Sequence, residues 1–244
     1  MPFQAIKTTV QQSYKRLSQH LASFVPRKEQ NYLVAEIVKA LSGQNGAGKR
    51  ILVAEAGTGI GKSLAYAQGA IPCAKQFRKK LILSTATLAL QEQLIGKDLP
   101  LYQSFTTQPF SFTLVKGRQR YCCAQRLAQL AAPAVEDDQL SFDELLNFCP
   151  DPAQQQTYQQ LWHAYQQGSW PGDRDSWPHP LDDQLWHAIS ADRHVCNPLF
   201  DQHQHCPFHQ ARARLDDMDV LVVNHALLMA DLALGGGIVL PSPD

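Results

Sequence analysis

The 244-residue sequence predicts an α/β protein in which a parallel sheet carries helices on both faces. Three observations lead there. Short apolar runs (RILVAEA, KKLILSTA, FTLVKG and DVLVVN) recur along the chain, and helical patterns follow them. Their apolar residues are largely contiguous, as in strands buried on both faces. The first run passes into its helix through a glycine-rich turn, AGTGIG.

Residues 5–24 and 28–42 carry apolar positions at helical spacing, and Pro26 separates them. GQNGAGKR, 43–50, reads as a turn. RILVAEA, 50–56, is the first expected strand; the glycine loop follows, and a helix begins at Lys62. KKLILSTA, 79–86, is a second buried strand, with TLALQEQLIGKDL as the helix after it. FTLVKG, 112–117, is a third strand, followed by a helix through RYCCAQRLAQLAA. DVLVVNHALLMADL, 219–232, is another strand–helix step. Residues 124–206 interrupt this rhythm. They are rich in Gln, Trp, Pro and Asp and have no strand pattern, so they are expected to form an inserted, mainly helical segment broken at Pro171, Pro178 and Pro180. The expected organisation is a body of 1–123 and 207–244 around an insertion of 124–206.

Charge divides the same way. The 22 basic and 22 acidic residues balance, yet 133–192 holds eleven of the acids and one base, Arg174, which leaves 21 bases against 11 acids elsewhere. An acidic insertion inside a basic body is compatible with polyanion binding by that body. No apolar run approaches the ~18 residues of a membrane span. The N-terminus lacks the apolar stretch of a secretory signal, so a cytoplasmic location without membrane association is expected. There, the six cysteines are expected to be ligands or buried thiols rather than disulfides.

AEAGTGIGKS, 54–63, has the chemistry of a phosphate cradle. Gly57, Gly59 and Gly61 permit positive φ and close approach of backbone N–H groups to phosphate oxygens, with a helix N-terminus behind them. Lys62 would pair with the β- and γ-phosphates of ATP, and the Ser63 hydroxyl would ligate Mg²⁺. The usual pattern has glycine where this chain has Ala56, which ends the expected strand and need not touch nucleotide; Thr58 and Ile60 fill the remaining loop positions. The plainer alternative is a glycine-rich strand–helix turn.

AEAGTGIGKS followed by LSTATLALQEQL resembles motifs I and Ia of superfamily 2 helicases, and FVPRKEQ is similar to their adenine-reading Q motif, with Arg27 and Gln30 as the corresponding residues. KGRQRYCCAQRL narrows the resemblance to the DinG-type, XPD-like iron–sulfur helicases. In these, G-R-x-R-Y-x-C precedes an insertion with three further cysteines; Gly117, Arg118, Arg120, Tyr121 and Cys123 match, and CNPLFDQHQHCPFHQAR matches the distal part with Cys196 and Cys206. The resemblance extends over essentially the whole chain. It implies a RecA-like nucleotide-binding domain, a 4Fe–4S cluster on the insertion, and 5′→3′ unwinding of forked duplex DNA. It also implies single-stranded DNA lying along Thr85, Thr87 and Gln91, with Arg118 and Arg120 forming a basic patch.

Two departures qualify what the resemblance implies. Where the family has its third cysteine, this chain has Asp201, His203 and His205. Three readings stay open: a cluster completed by one of those side chains, zinc on Cys196, Cys206 and nearby histidines, or a metal-free insertion. The D-E-x-H motif that would hold Mg²⁺ and orient water does not occur; FDEL, 142–145, and VEDD, 135–138, have acids without a preceding strand. The chain is therefore expected to be the front of a longer enzyme whose C-terminal helicase half lies elsewhere. A non-catalytic nucleotide- or DNA-binding accessory protein is the alternative, and a small P-loop kinase a weaker one.

Overall fold

The structure, a computed structural model, describes residues 2–20, 24–44, 46, 50–132, 151–192 and 206–241. The chain divides into two compact units, residues 1–115 with 215–244 and residues 116–214.

In the first unit, α1 (Pro2–His20) and α2 (Lys28–Leu41) precede α3 (Lys62–Phe77). Strand β1 (Leu81–Thr85) leads into α4 (Leu88–Gln93), capped by Thr87, whose hydroxyl accepts from the Leu90 N–H. A π-turn over Leu94–Asp98 joins α4 to α5 (Leu99–Phe105), and β2 (Phe112–Leu114) follows. After the second unit the chain returns through β3 (Val220–Asn224) into the helix His225–Ala233, capped by Asn224. The fold is mixed α/β with a small parallel sheet of order β1-β3-β2. Leu81 pairs with Val220 and Thr85 with Asn224, while Phe112 also pairs with Val220.

Alternation along the central strand sorts its side chains between two cores. Val220 and Val222 pack with Leu17, Ala67, Ile71, Leu99, Tyr102 and Phe105 from α1, α3 and α5. Leu221 and Val223 face the other side, with Leu215, Leu240 and, from the last helix, Leu227 and Leu228. Helices thus cover both faces, and all four residues Val220–Val223 are buried.

The expected strand over 50–56 is not formed. These residues precede α3 without joining the sheet, and Ile51 and Val53 are 70% and 91% exposed. An apolar run expresses a preference for burial, but a strand also needs neighbours for its N–H and C=O groups. Among the described residues no strand lies beside 50–56.

The second unit is helical, as its composition suggests. It holds α6 (Ala124–Ala131), α7 (Pro152–Gln166), α8 (Asp183–Ile189) and α9 (Pro207–Ala213). Asp151 and Gln154 form a capping box on α7, with Pro152 in its first turn, and Asp182 caps α8. Pro171, Pro178 and Pro180 fall in the connection between α7 and α8, outside either helix. Leu127, Tyr158, Leu161, Trp170, Leu185, Trp186 and Ile189 form the core around Cys122. Its polar atoms are paired: Trp170 Nε1 donates to the Asp173 carbonyl at 2.8 Å, and Trp186 Nε1 to that of Gln119 at 2.8 Å.

This unit begins at Lys116 and ends at Arg214, wider than the 124–206 that composition delimits. Short backbone bridges account for the difference. Tyr121 pairs with Asp173 and Cys122 with Ser190, and Cys123 N–H donates to the Ile189 carbonyl at 2.6 Å. Residues 116–123 are thereby laced to the insertion. None of the described helices is long and apolar enough to cross a membrane.

Candidate functional site

The glycine loop of the first unit adopts the conformation its residue types favour. Gly59 and Gly61 have φ of +80° and +82°. A β-carbon at Gly57 or Gly59 would meet nothing within 4 Å, whereas one at Gly61 would lie 2.4 Å from Gln30 Nε2. Gly61 is therefore required by its backbone, and a β-carbon there would also displace the end of the Gln30 side chain.

Side chains from the start of α2 hold this loop. Gln30, buried, donates through Nε2 to the Gly61 carbonyl at 3.0 Å, and Arg27 donates to the Gly59 carbonyl. In a trans peptide the carbonyl and the following N–H point in opposite directions. Anchoring these two oxygens therefore turns the Ile60 and Lys62 N–H groups the other way. The expected base-reading Gln30 is thus found supporting the loop itself.

Lys62 opens α3 and folds back: its Nζ donates to the Ala56 and Gly57 carbonyls, each at 2.9 Å. Thr58 is exposed and Ile60 partly so. Ser63 hydrogen-bonds the Tyr66 hydroxyl; burial raises the Tyr66 phenol, and that bond partly offsets the rise. Beside the loop runs a groove between α2 and the extended residues 52–57, with Lys28, Glu29, Tyr32, Leu33, Leu52 and Ile60 among its lining. Tyr32 is 68% exposed. Nothing in its sequence context singles it out, because the groove exists only once α2 lies against the loop.

The residues expected along DNA have mixed fates. Thr85 is buried and donates to the Thr87 carbonyl, Thr87 caps α4, and Gln91 is 4% exposed. At the same end of β1, Ser84 Oγ lies 2.7 Å from Nδ1 of the exposed His225, a contact that sequence reasoning did not find. In the second unit, the Arg118 guanidinium stacks 4.3 Å from the centre of the Phe208 ring, whose surroundings also include Arg212 at 5.0 Å. Arg120 is ion-paired with Asp175, as is Lys116 with Asp173.

Four cysteines among the described residues are free and buried: Cys73, Cys122, Cys123 and Cys206. Cys123 and Cys206 occupy the N-cap positions of α6 and α9. Cys122 sits in the aromatic core, and burial pushes its thiol far above the ordinary range. Burial likewise pushes Cys73 up to about 11. Cys123 packs on Ala191, and Cys206 packs with Tyr121 and Phe208. Cys196, Asp201, His203 and His205 lie outside the described residues, as do FDEL and VEDD. Among the described residues no three His, Cys, Asp or Glu side chains gather into a metal site.

No family model matches the chain. Over 239 residues, 98% of its length, it is 49% identical to the ATP-dependent DNA helicase DinG of Photobacterium profundum. Over 243 residues it is 36% identical to proteins of the same name from Escherichia coli and Salmonella typhimurium. It spans 34% of the first and 33% of the other two, so the chain is homologous to about one third of each relative's length.

Proposed function

We propose that this chain is the nucleotide- and DNA-binding front part of an ATP-dependent DNA helicase with a RecA-like domain, working in the cytoplasm. The observation that carries the reading is the loop 56–63. Two of its carbonyls are anchored by Arg27 and Gln30, its cation is held ready by two others, and it opens directly into α3.

When ATP enters, its β- and γ-phosphates replace the Ala56 and Gly57 carbonyls as partners of Lys62. The loop N–H groups and the N-terminus of α3 face the same charge. Ser63 would hold Mg²⁺, and the groove beside Tyr32 would accept the base. These residues bind and orient the triphosphate. The sequence holds no D-E-x-H motif, and turnover is assigned to the two thirds of the relatives' length that this chain does not span. The basic surplus outside 133–192 favours single-stranded and forked DNA, with Thr87, Arg118 and Arg120 as contacts and 5′→3′ movement expected from the family resemblance.

Titration of a fluorescent ATP analogue into this 244-residue chain with Mg²⁺ tests the reading. Lys62→Ala should weaken binding by at least about tenfold, the loss of a charge-assisted contact. A wild-type chain that binds no analogue would remove the proposal.

The second unit is assigned a 4Fe–4S cluster on Cys123, Cys196 and Cys206, with one of Asp201, His203 or His205 as the fourth ligand. The support is the spacing of the cysteines and the buried N-cap positions of Cys123 and Cys206. Such a cluster would add covalent cross-links to the insertion and a redox-active centre. Protein purified without oxygen should carry about four iron and four sulfide per chain, and Cys123→Ser should lose them. Zinc, or no metal, in the wild-type protein would overturn the assignment.

A further inference from the structure

We infer that Ser84 and His225, rather than Thr85 and Gln91, make the phosphate contact to single-stranded nucleic acid at the carboxyl end of the sheet in the first unit. The inference rests on the DNA-binding reading above and assigns two residues to it.

In open parallel sheets, ligands bind outside the carboxyl ends of the strands. Here β1 and β3 end together, with Thr85 paired to Asn224. The polar groups at this edge are not equivalent. Thr85 is buried with its hydroxyl on the Thr87 carbonyl, and Gln91 is buried, whereas Thr87, which accepts from the Leu90 N–H, keeps its own hydroxyl proton to donate. His225 is exposed, and Ser84 Oγ meets its Nδ1 at 2.7 Å. With the Ser84 hydroxyl donating to Nδ1, the neutral ring carries its proton on Nε2, at the far side of the imidazole. That arrangement holds a donor in one orientation, which suits a phosphate oxygen and reads no base. Leu88, 68% exposed four residues after Ser84, adds apolar surface for a sugar or base.

The test is fluorescence anisotropy of a labelled oligo-dT with the 244-residue chain, in parallel with the ATP-analogue titration. His225→Ala should weaken oligonucleotide binding about tenfold and Ser84→Ala about threefold. His225→Gln, which keeps a terminal N–H donor, should stay within about threefold of wild type. Analogue affinity and the circular-dichroism melt should not change. His225 is exposed and Ser84 half-buried, and the Gln and Ser84 variants serve even if the alanine variant at 225 is unstable. Equal oligonucleotide binding by wild type, His225→Ala and Ser84→Ala overturns the inference. So does a loss in His225→Gln as large as in His225→Ala, or a loss of analogue binding instead of oligonucleotide binding. A wild-type chain that binds the analogue but no oligonucleotide removes the DNA reading, and this inference with it.

Discussion

At the scale of the residue, the glycine loop depends on one glycine more than on the others. Gly61 combines φ of +82° with a neighbour, Gln30 Nε2, that a β-carbon would approach to 2.4 Å. Gly57 has neither constraint, since its φ is not positive and the space around it is open. Gly61→Ala should therefore cost about 1–3 kcal/mol of stability and weaken ATP-analogue binding, through backbone strain and loss of the Gln30 anchor. Gly57→Ala should change stability by less than about 0.5 kcal/mol. Thermal denaturation of the two variants side by side checks the contrast; equal losses would mean that the loop does not rely on Gln30. The glycine pattern is legible in the sequence because it expresses local backbone conformation. The Gln30–Gly61 pairing is not, because the two residues are 31 positions apart and meet only when α2 packs beside α3.

Among the elements, the last helix of the first unit carries the clearest electrostatic device. The side chain of Asp231 accepts from four consecutive backbone N–H groups, Gly237, Ile238, Val239 and Leu240, at 2.6–3.2 Å. Three glycines with positive φ, Gly235 to Gly237, let the chain wrap around it. Burial alone would raise this carboxyl, but the four N–H bonds outweigh it and hold the group below the ordinary 3.8. Asp219, at the entry to β3, follows the same logic. Burial opposes its ionisation, while the Ser111 N–H and the Lys75 ammonium favour it and win. A carboxyl whose folded value lies below its unfolded value stabilises the fold above the unfolded value, and the contribution disappears as pH falls through the folded one. Both contributions should thus be constant near neutrality and vanish on acidification below about pH 4. Asp231→Asn should cost about 2 kcal/mol at pH 7 and flatten the acid limb of a stability–pH curve measured by urea denaturation. An unchanged acid limb would show that Asp231 does not titrate with folding. The residues of this device are scattered over ten positions that read as a helix and a glycine-rich tail, so the carboxylate cage has no signature in the sequence.

For the molecule as a whole, the two units own separate cores. Aliphatic side chains and phenyl rings of α1, α3, α5 and β3 fill one, while Trp170, Trp186, Tyr158 and their neighbours fill the other. Trp186 is buried, hydrogen-bonded to the Gln119 carbonyl, and has the Arg174 guanidinium 5.8 Å from its ring centre. Trp186→Ala should cost the second unit about 3–5 kcal/mol. ATP-analogue affinity, which the proposed function assigns to the first unit, should stay within about twofold of wild type. Calorimetry with a parallel titration checks both, and a matching collapse of nucleotide binding would show that the units fold as one. Aromatic residues fill the acidic insertion where the body uses aliphatic strands, which is why composition marks the insertion while its borders move to Lys116 and Arg214. Backbone bridges at Tyr121, Cys122 and Cys123 set the first of those borders.

By itself the sequence determined the α/β class, the glycine loop before α3, most helices and the presence of a helical insertion, because all of these rest on local backbone preferences and on the period of apolar residues. Tertiary structure decided which strands pair. It left Ile51–Glu55 outside the described sheet, and it decided which polar groups stay accessible at its edge. Thr85 and Gln91 are turned inward, while Ser84 and His225, 141 positions apart, come within 2.7 Å. Residue identity defines what a side chain can donate or accept, but its accessibility depends on neighbours brought from distant parts of the chain.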